Sequence, residues 1–447
     1  MLRYLPVIVL ILAAGRAAAD TAPLTADQAV KLALQHNSQI IQAEANVLDA
    51  RSGLWSAYSN VLPHASASLT RSGSFTRQST GQQSFGTFVL QSDEYNLESY
   101  GTTQQVGGTW DVLDLGAYTG LSAARQSMRS AEFSREATRS NVAFATRQQF
   151  YAVVQAMHQS RVNSASLALA RDSERRVRAM FEVGSVAKSD LLQAQVATGQ
   201  AALDSVTAAN TVLTQRIALA AALGLREAEL APVDSTFTDT RQSIDSAAVF
   251  NEARKNRADV LAAEADYKAA ELSLRSAHWS RLPYVSLSGS WSPDVTHSSK
   301  YDTLSAGGGA LGTASEAKGG VSGAVALNLD LFDGFLTDSR IAAARGHLVA
   351  ARETRDALVR NLEGQVHQAI LGYEQALEQE DLATTTVESA TENHNLVLQK
   401  YNVGSATILD LVNSQVQLQT AQSSLVSAKA AIRIAEAQLD QVRGRSQ

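Results

Sequence analysis

The sequence predicts a mainly α-helical protein with a smaller β portion, built twice from one plan. The stretch from Phe181 to Leu191 recurs from Tyr401 to Leu411, 220 residues later, with Val, Gly, Ser, Asp and Leu in the same order and Gln195 and Gln415 extending the match. The same offset relates Leu62-Pro63 to Leu282-Pro283, Ala43-Glu44-Ala45 to Ala263-Glu264-Ala265, and Ala124-Arg125 to Ala344-Arg345. A fixed offset of this kind marks a tandem duplication. Each copy also holds a long proline-free stretch of helical pattern, from Gly116 to Met180 and from Gly334 to Lys400, preceded by short segments that alternate apolar and polar residues.

Composition narrows the function. Of 447 residues 45% are hydrophobic but only 6% aromatic, and alanine is abundant. Such a chain suits long, closely packed helices better than a thick globular core. Residues 1–19 read as a secretory signal: Arg3, an apolar run from Leu5 to Ala14, and Ala17-Ala18-Ala19 at the cleavage site. Removing it takes Arg3 and Arg16 from the 38 basic residues, leaving 36 against 44 acidic and a net charge of −8, which argues against a nucleic-acid partner. Cysteine is absent, which excludes disulfides, thiol chemistry and a lipid on an N-terminal cysteine. No later apolar run is long enough for a transmembrane helix, so a membrane-embedded part has to be made of strands.

Taken in order, a helix is expected from about Leu24 to Asn60, on the spacing of Val30, Leu34, Ile41, Ala45 and Leu48, closed by Pro63. Ala65, Ala67 and Leu69 then alternate with Ser66, Ser68 and Thr70 as a strand. Polar residues 76–101 read as a loop, and Val106, Trp110 and Val112 mark a strand over about 102–114. The long helix follows at roughly 100 Å, then the Gly184 turn, a helix from about Val186 to Leu223, and an irregular connector over 224–246. The second copy repeats this: a helix over about 246–281, a strand with Val285, Leu287 and Trp291, a loop at 293–318, a strand with Val321, Val325, Leu327, Leu329 and Leu331, a long helix to Lys400 and a last helix from about Ala406 to Val442.

The strands carry one apolar face and one face of Ser, Thr, Asn and Gln. Ordinary half-buried sheets alternate too, but the secretion signal, the long polar loops and Trp110 and Trp291 near strand ends favour a transmembrane barrel. Four strands cannot close, since small barrels need about eight, so the chain has to oligomerise: a dimer gives eight strands and a trimer twelve. The last helix is a heptad repeat, with Leu411, Leu418, Leu425, Ile432 and Leu439 seven apart and Ser414, Ala421, Ala428, Ala435 and Val442 three later; Ala194, Ala201, Ala208 and Ala222 keep the small positions in the first copy. A period of seven calls for a left-handed supercoil, and the turns at Gly184 and Gly404 make the paired helices antiparallel.

This order of elements, present twice, resembles the outer membrane efflux protein family of the TolC type. The resemblance covers the mature chain and is carried by Tyr401-Asn402-Val403-Gly404 with Asp410-Leu411, its twin from Phe181 to Asp190, Leu331-Phe332-Asp333-Gly334, and the two Leu-Pro pairs before the strands. It implies a homotrimer with a twelve-stranded barrel in outer-membrane lipid and a helical barrel crossing the periplasm. Residues 20–233 are then the first structural repeat and 234–447 the second. Residues 64–114 and 284–331 supply the β-barrel, 115–223 and 334–443 the helical barrel, and 224–246 an equatorial connector. The implied function is an exit duct for a tripartite efflux pump or type I secretion system, fed by an inner-membrane transporter through a periplasmic adaptor. The turns Val183-Gly184-Ser185 and Val403-Gly404-Ser405 would touch the adaptor. By position Asp410 matches the first acidic ring of the family's aperture, Asn413 replaces the acid of the second, and Tyr401 and Asp190 match members of a tie whose arginine is Ala406 here.

Each site also has a plainer account. Asp190 and Asp410 lie in the first turn of a helix, where a carboxylate is favoured by roughly 0.3–1 kcal/mol, and the glycines are needed to end helices. Gly307-Gly308-Gly309 is followed by no Gly-Lys-Ser/Thr and no helix, so it reads as a loop. The histidines, among them His36, His158 and His394, show no metal-ligand pairing and read as surface or packing residues. The sequence points to no catalytic, cofactor-binding or metal-binding residue, and so to no enzyme. The other reading is a secreted structural or adhesive coiled-coil protein without a pore; a strict duplication that includes two strand pairs favours the duct.

Overall fold

The computed structural model describes residues 23–79, 83–85, 88–90, 94–237, 244–292, 295–303, 312–317 and 319–445. The signal at 1–19 lies outside the described residues, as does the Gly307-Gly308-Gly309 run. The chain divides into two compact units, one of Met1–Asn46, Glu132–Leu261 and Ala357–Gln447, the other of Val47–Ala131 and Ala262–Asp356.

The second unit holds the sheet. Strand β1 (His64–Ser79) pairs antiparallel with β4 (Glu94–Asp111). On its other side β4 pairs with β5 (Tyr284–Ser292) through Val106–Asp111 and with β6 (Val295–Thr303) through Tyr95–Thr103. Beyond them lie β8 (Gly320–Asn328), on β5, and β7 (Gly312–Ala317), on β6. The sheet is therefore four strands wide. A two-stranded hairpin, β2 (Gln83–Phe85) with β3 (Phe88–Leu90), stands apart.

The expected loops at 76–101 and 293–318 are largely strand. Their residues continue the backbone ladder, and their mostly polar sequence sustains no alternation of apolar and polar residues. Conversely β8 stops at Asn328, short of Leu329 and Leu331. Register confirms the two faces. Ala67, Val106, Trp291 and Val321 line up across the sheet, while Ser66, Gly107, Ser290 and Ser322 line up on the opposite face. Ser290 and Ser322 hydroxyls lie 2.8 Å apart. The apolar face is uncovered: Leu69 is 72% exposed, Val321 82% and Val325 73%.

The first expected helix is two, α1 (Ala26–His36) and α2 (Ser38–Ser59), and so is its counterpart, α5 (Ser246–Asn256) and α6 (Ala258–Trp279). The chain turns extended at Asn37 and Arg257. Asn37 Nδ2 donates to the Ala222 carbonyl at 2.8 Å and its Oδ1 accepts from Gln39 N–H at 2.8 Å, a side-chain competitor to the helical ladder. The long helix α3 (Leu115–Glu182) is followed by α4 (Lys188–Leu223), and α7 (Leu336–Asn402) by α8 (Ile408–Arg443).

The helix-rich unit has two matching cores. Ala29, Ala33, Ile40, Val142, Val153 and Leu219 are buried in one; Val249, Ala253, Val260, Leu362, Tyr373 and Leu439, each 220 residues on, are buried in the other. Both are held by the same contact. Gly224 and Gly444 end α4 and α8 at φ of 72° and 74°, and a Cβ on them would lie 2.4 Å from the His36 carbonyl oxygen and 2.8 Å from the Asn256 carbonyl carbon, respectively. Gly224→Ala is expected to lower the melting temperature of the purified protein. It costs about 1–2 kcal/mol for the left-handed backbone plus the displacement of α1, whereas Gly199→Ala, in open space mid-helix, should not lower it.

Candidate aperture at the helical turns

The two turns between antiparallel helices are the same object. Gly184 has φ 73° and Gly404 φ 77°. In the first, Gly184 N–H donates to Phe181 O at 2.9 Å and Ser185 N–H to Met180 O at 2.8 Å; in the second, Gly404 N–H donates to Tyr401 O at 3.0 Å and Ser405 N–H to Lys400 O at 2.8 Å. This pair of bonds is the Schellman termination. A Cβ on either glycine would meet nothing within 4 Å, so it is the left-handed backbone that demands glycine. Val183 and Val403 are each 79% exposed, an apolar side chain presented at each turn.

The helices that leave the turns start differently. Thr407 and Asp410 form a reciprocal cap: Asp410 N–H donates to Thr407 Oγ1 at 3.2 Å, and Thr407 N–H and Oγ1–H donate to Asp410 Oδ2 at 2.9 and 2.7 Å. These bonds, the backbone one foremost, hold the Asp410 carboxyl below the usual carboxylate range. The cap is therefore present above that range and lost as pH falls through the lowered value. In the first copy the cap position is Ala187, with no side-chain bond, and Asp190 accepts from the neighbouring Ser189 hydroxyl at 3.3 Å. Both carboxylates lie in the first turn of their helix, but a side-chain cap is present only at Asp410. Thr-x-x-Asp at 407–410 is the sequence signal for this cap, with Thr407 the member that the carboxylate alone does not reveal.

Between the helices near the turns, Val177, Ala194, Tyr401, Ile408 and Leu411 form a small core, with Ala406 packed against it. Tyr401 is 7% exposed and its hydroxyl has no hydrogen-bond partner. Burial raises its pKa, and the charge of Asp190 adds to the rise. Asn413 is exposed on α8. The structure so brings Tyr401 into the field of Asp190 and leaves Asp410 and Asn413 at the surface of one chain. Among the described residues no cluster of His, Asp or Glu is fit to hold a metal ion, and no helix is long and apolar enough to cross a membrane.

The outer membrane efflux protein family matches residues 29–225 and again 249–445. The chain belongs to that family. Its double match is the duplication seen in the sequence and in the paired cores. Outer membrane protein TolC of Vibrio cholerae serotype O1 is 23% identical over 349 residues, 76% of this chain and 76% of that protein. A membrane protein from Pseudomonas aeruginosa has a similar structure, with a TM-score of 0.76 at 18% identity over 94% of this chain and 90% of that one. The outer membrane protein VceC from Vibrio cholerae superposes with a TM-score of 0.72 at 17% identity, over 94% and 96% of the two chains. The protein is thus an outer-membrane efflux family member and not an enzyme.

Thr407→Ala should cost the start of α8 about 1 kcal/mol. Amide exchange measured by mass spectrometry is expected to quicken over 408–412 and to stay unchanged over 188–192, where no side-chain cap exists to lose.

Proposed function

We propose that the protein is the exit duct of a tripartite efflux pump or type I secretion system. It works as a homotrimer in outer-membrane lipid, and substrate reaches it from an inner-membrane transporter through a periplasmic adaptor protein. The sheet carries this reading. Strand β1 pairs only with β4 among the described strands, and the sheet path ends at β8 and β7. Two open edges and an uncovered apolar face suit a lipid setting only if another copy completes the ladder, because unpaired backbone groups are costly there. Four strands from each of three copies make twelve. About ten tilted residues cross the bilayer, so the 16 residues of β1 extend beyond it. A second observation agrees: Leu192, Val196, Leu203, Val206, Leu213 and Ile217 form a heptad stripe on α4, each at least half exposed, an apolar seam with no cover in a single chain.

The turns at Val183-Gly184-Ser185 and Val403-Gly404-Ser405 are the adaptor contacts in this reading, and the helices around them are the aperture. Three-fold symmetry brings three Asp410 carboxylates around one axis, where like charges select cations at a constriction. With Asn413 and Ala406 in place of an acid and an arginine, the closed state has fewer links, and in one chain Asp190 acts on Tyr401 through its charge alone.

In a planar bilayer with a salt gradient, Asp410→Ala should shift the reversal potential toward zero, while Thr407→Ala, which loses the cap but keeps the charge, should not. An unchanged reversal potential in Asp410→Ala overturns the ring. Gly184→Trp is expected to abolish pump assembly in a pull-down with the adaptor and to sensitise cells to the pump's substrates; normal efflux by that variant counts against turn contact.

A further inference from the structure

One polar pair inside the helical seam is not used by the duct as described. His394 on α7 is 5% exposed and Ser414 on α8 is 2% exposed, and His394 Nδ1 lies 3.0 Å from Ser414 Oγ. Ser414 has one hydroxyl proton, which it donates to the Leu411 carbonyl at 2.7 Å. Its oxygen therefore accepts from His394 Nδ1–H. That fixes the neutral tautomer and leaves Nε2 as the atom that takes a proton.

The charged group that acts on the ring from α3 is Arg176, itself bonded to Asp172 at 2.8 Å. On α4 the ionisable groups at this end are Lys188 and Asp190, and Asp190 is felt at Tyr401. On α8 Asp410 is engaged by Thr407, and on α7 itself Glu392 and Lys400 are exposed. A protonated ring would thus be a buried cation in the field of the Arg176 guanidinium, with the Ser414 hydroxyl as its hydrogen-bonding neighbour among the described residues. Burial first, then Arg176, holds the imidazole below the ordinary histidine range. The packed state is accordingly complete above about pH 6.5 and loses stability as pH falls through the lowered value.

His394 stands seven residues before Tyr401, in the same seam. The first copy has Glu174 and Ala194 at the matching positions, and Glu174 pairs with Arg178 at 2.6 Å. The device belongs to one copy only.

We propose that the His394–Ser414 pair is an acid-sensitive latch: protonation of His394 frees α7 from α8 one heptad before the Tyr401 turn and opens the aperture. The consequence for conduction rests on reading these turns as the aperture; the loosening of the seam does not.

The test uses purified full-length protein in lipid, with conductance read at pH 7.5 and 5.5. Since the chain has no cysteine, a spin-label pair at Asn393→Cys and Gln417→Cys, whose native side chains bond across the two helices at 3.3 Å, reports the seam directly. Protein that is wild type at position 394 should gain conductance severalfold in acid and, when carrying the label pair, lose its dipolar broadening. His394→Asn, which keeps an N–H donor for Ser414 but does not titrate, should do neither. An acid response retained in His394→Asn, or a label pair that stays together in wild type at pH 5.5, overturns the latch. If His394→Asn fails to assemble, the label titration in wild type decides alone: separation with a midpoint below 6.5 supports the latch. A protein that separates its labels but conducts at neither pH retains the latch and fails the duct reading instead.

Discussion

Close helix packing along a seam of small residues is the constraint on which the helical unit depends. Ala194, Ala201 and Ala208 on α4, and Ser414, Ala421, Ala428 and Ala435 on α8, are all buried. Methyl- and hydroxyl-sized groups at every seventh position let backbones approach and leave each helix free to have a neighbour on either side. Further from the turns α4 changes character, and Leu219 and Leu223 are wholly buried. The unit therefore combines a thin, close-set wall near the turns with a thicker apolar core where α1 and α5 pack. Area buried per residue is small in the first region and large in the second, so the turn end is the softer one.

The sheet poses the opposite problem. Its apolar face is uncovered in one chain, and the outer edges of β1, β8 and β7 are unpaired among the described strands. A face of Ala67, Val106, Trp291 and Val321 is stable in hydrocarbon and a liability in water, while Ser66, Ser290 and Ser322 tolerate water behind it. The same alternation that signals a strand in the sequence therefore also specifies its surroundings.

Much of this was legible beforehand. The duplication, the long helices, the four strands, the turns and the heptad seam follow from local patterns: proline, glycine, period two and period seven. The kinks at Asn37 and Arg257 did not: each has a near partner, Gln39 for Asn37 and Asp259 for Arg257, but also a distant one, Ala222 and Gln365, more than a hundred positions away. The outer halves of β1 and β4 escaped because apolar residues are too few in their sequence to sustain an alternation. At the turns, Gly184 and Gly404 announced themselves, and the cap on Asp410 sat within three residues of it. The burial of His394 against Ser414 was hidden, since a histidine among polar helix residues looks like any surface histidine until its neighbour across the seam is known.

The contact of Gly224 with His36, and of Gly444 with Asn256, reaches beyond packing. Each places the last residue of a helix against the break between two others, after the chain has gone out along one long helix and returned. One residue added to α3 or α4 would turn everything after it by about 100° and lengthen the path by about 1.5 Å, and the glycine would miss its carbonyl. Substitutions carry no such penalty. The family matches 29–225 and 249–445 are accordingly equal in length at 197 residues each, although most side chains differ between them. The chain measures itself: between the two copies the tally of residues separating fixed marks has been kept while the side chains have been replaced.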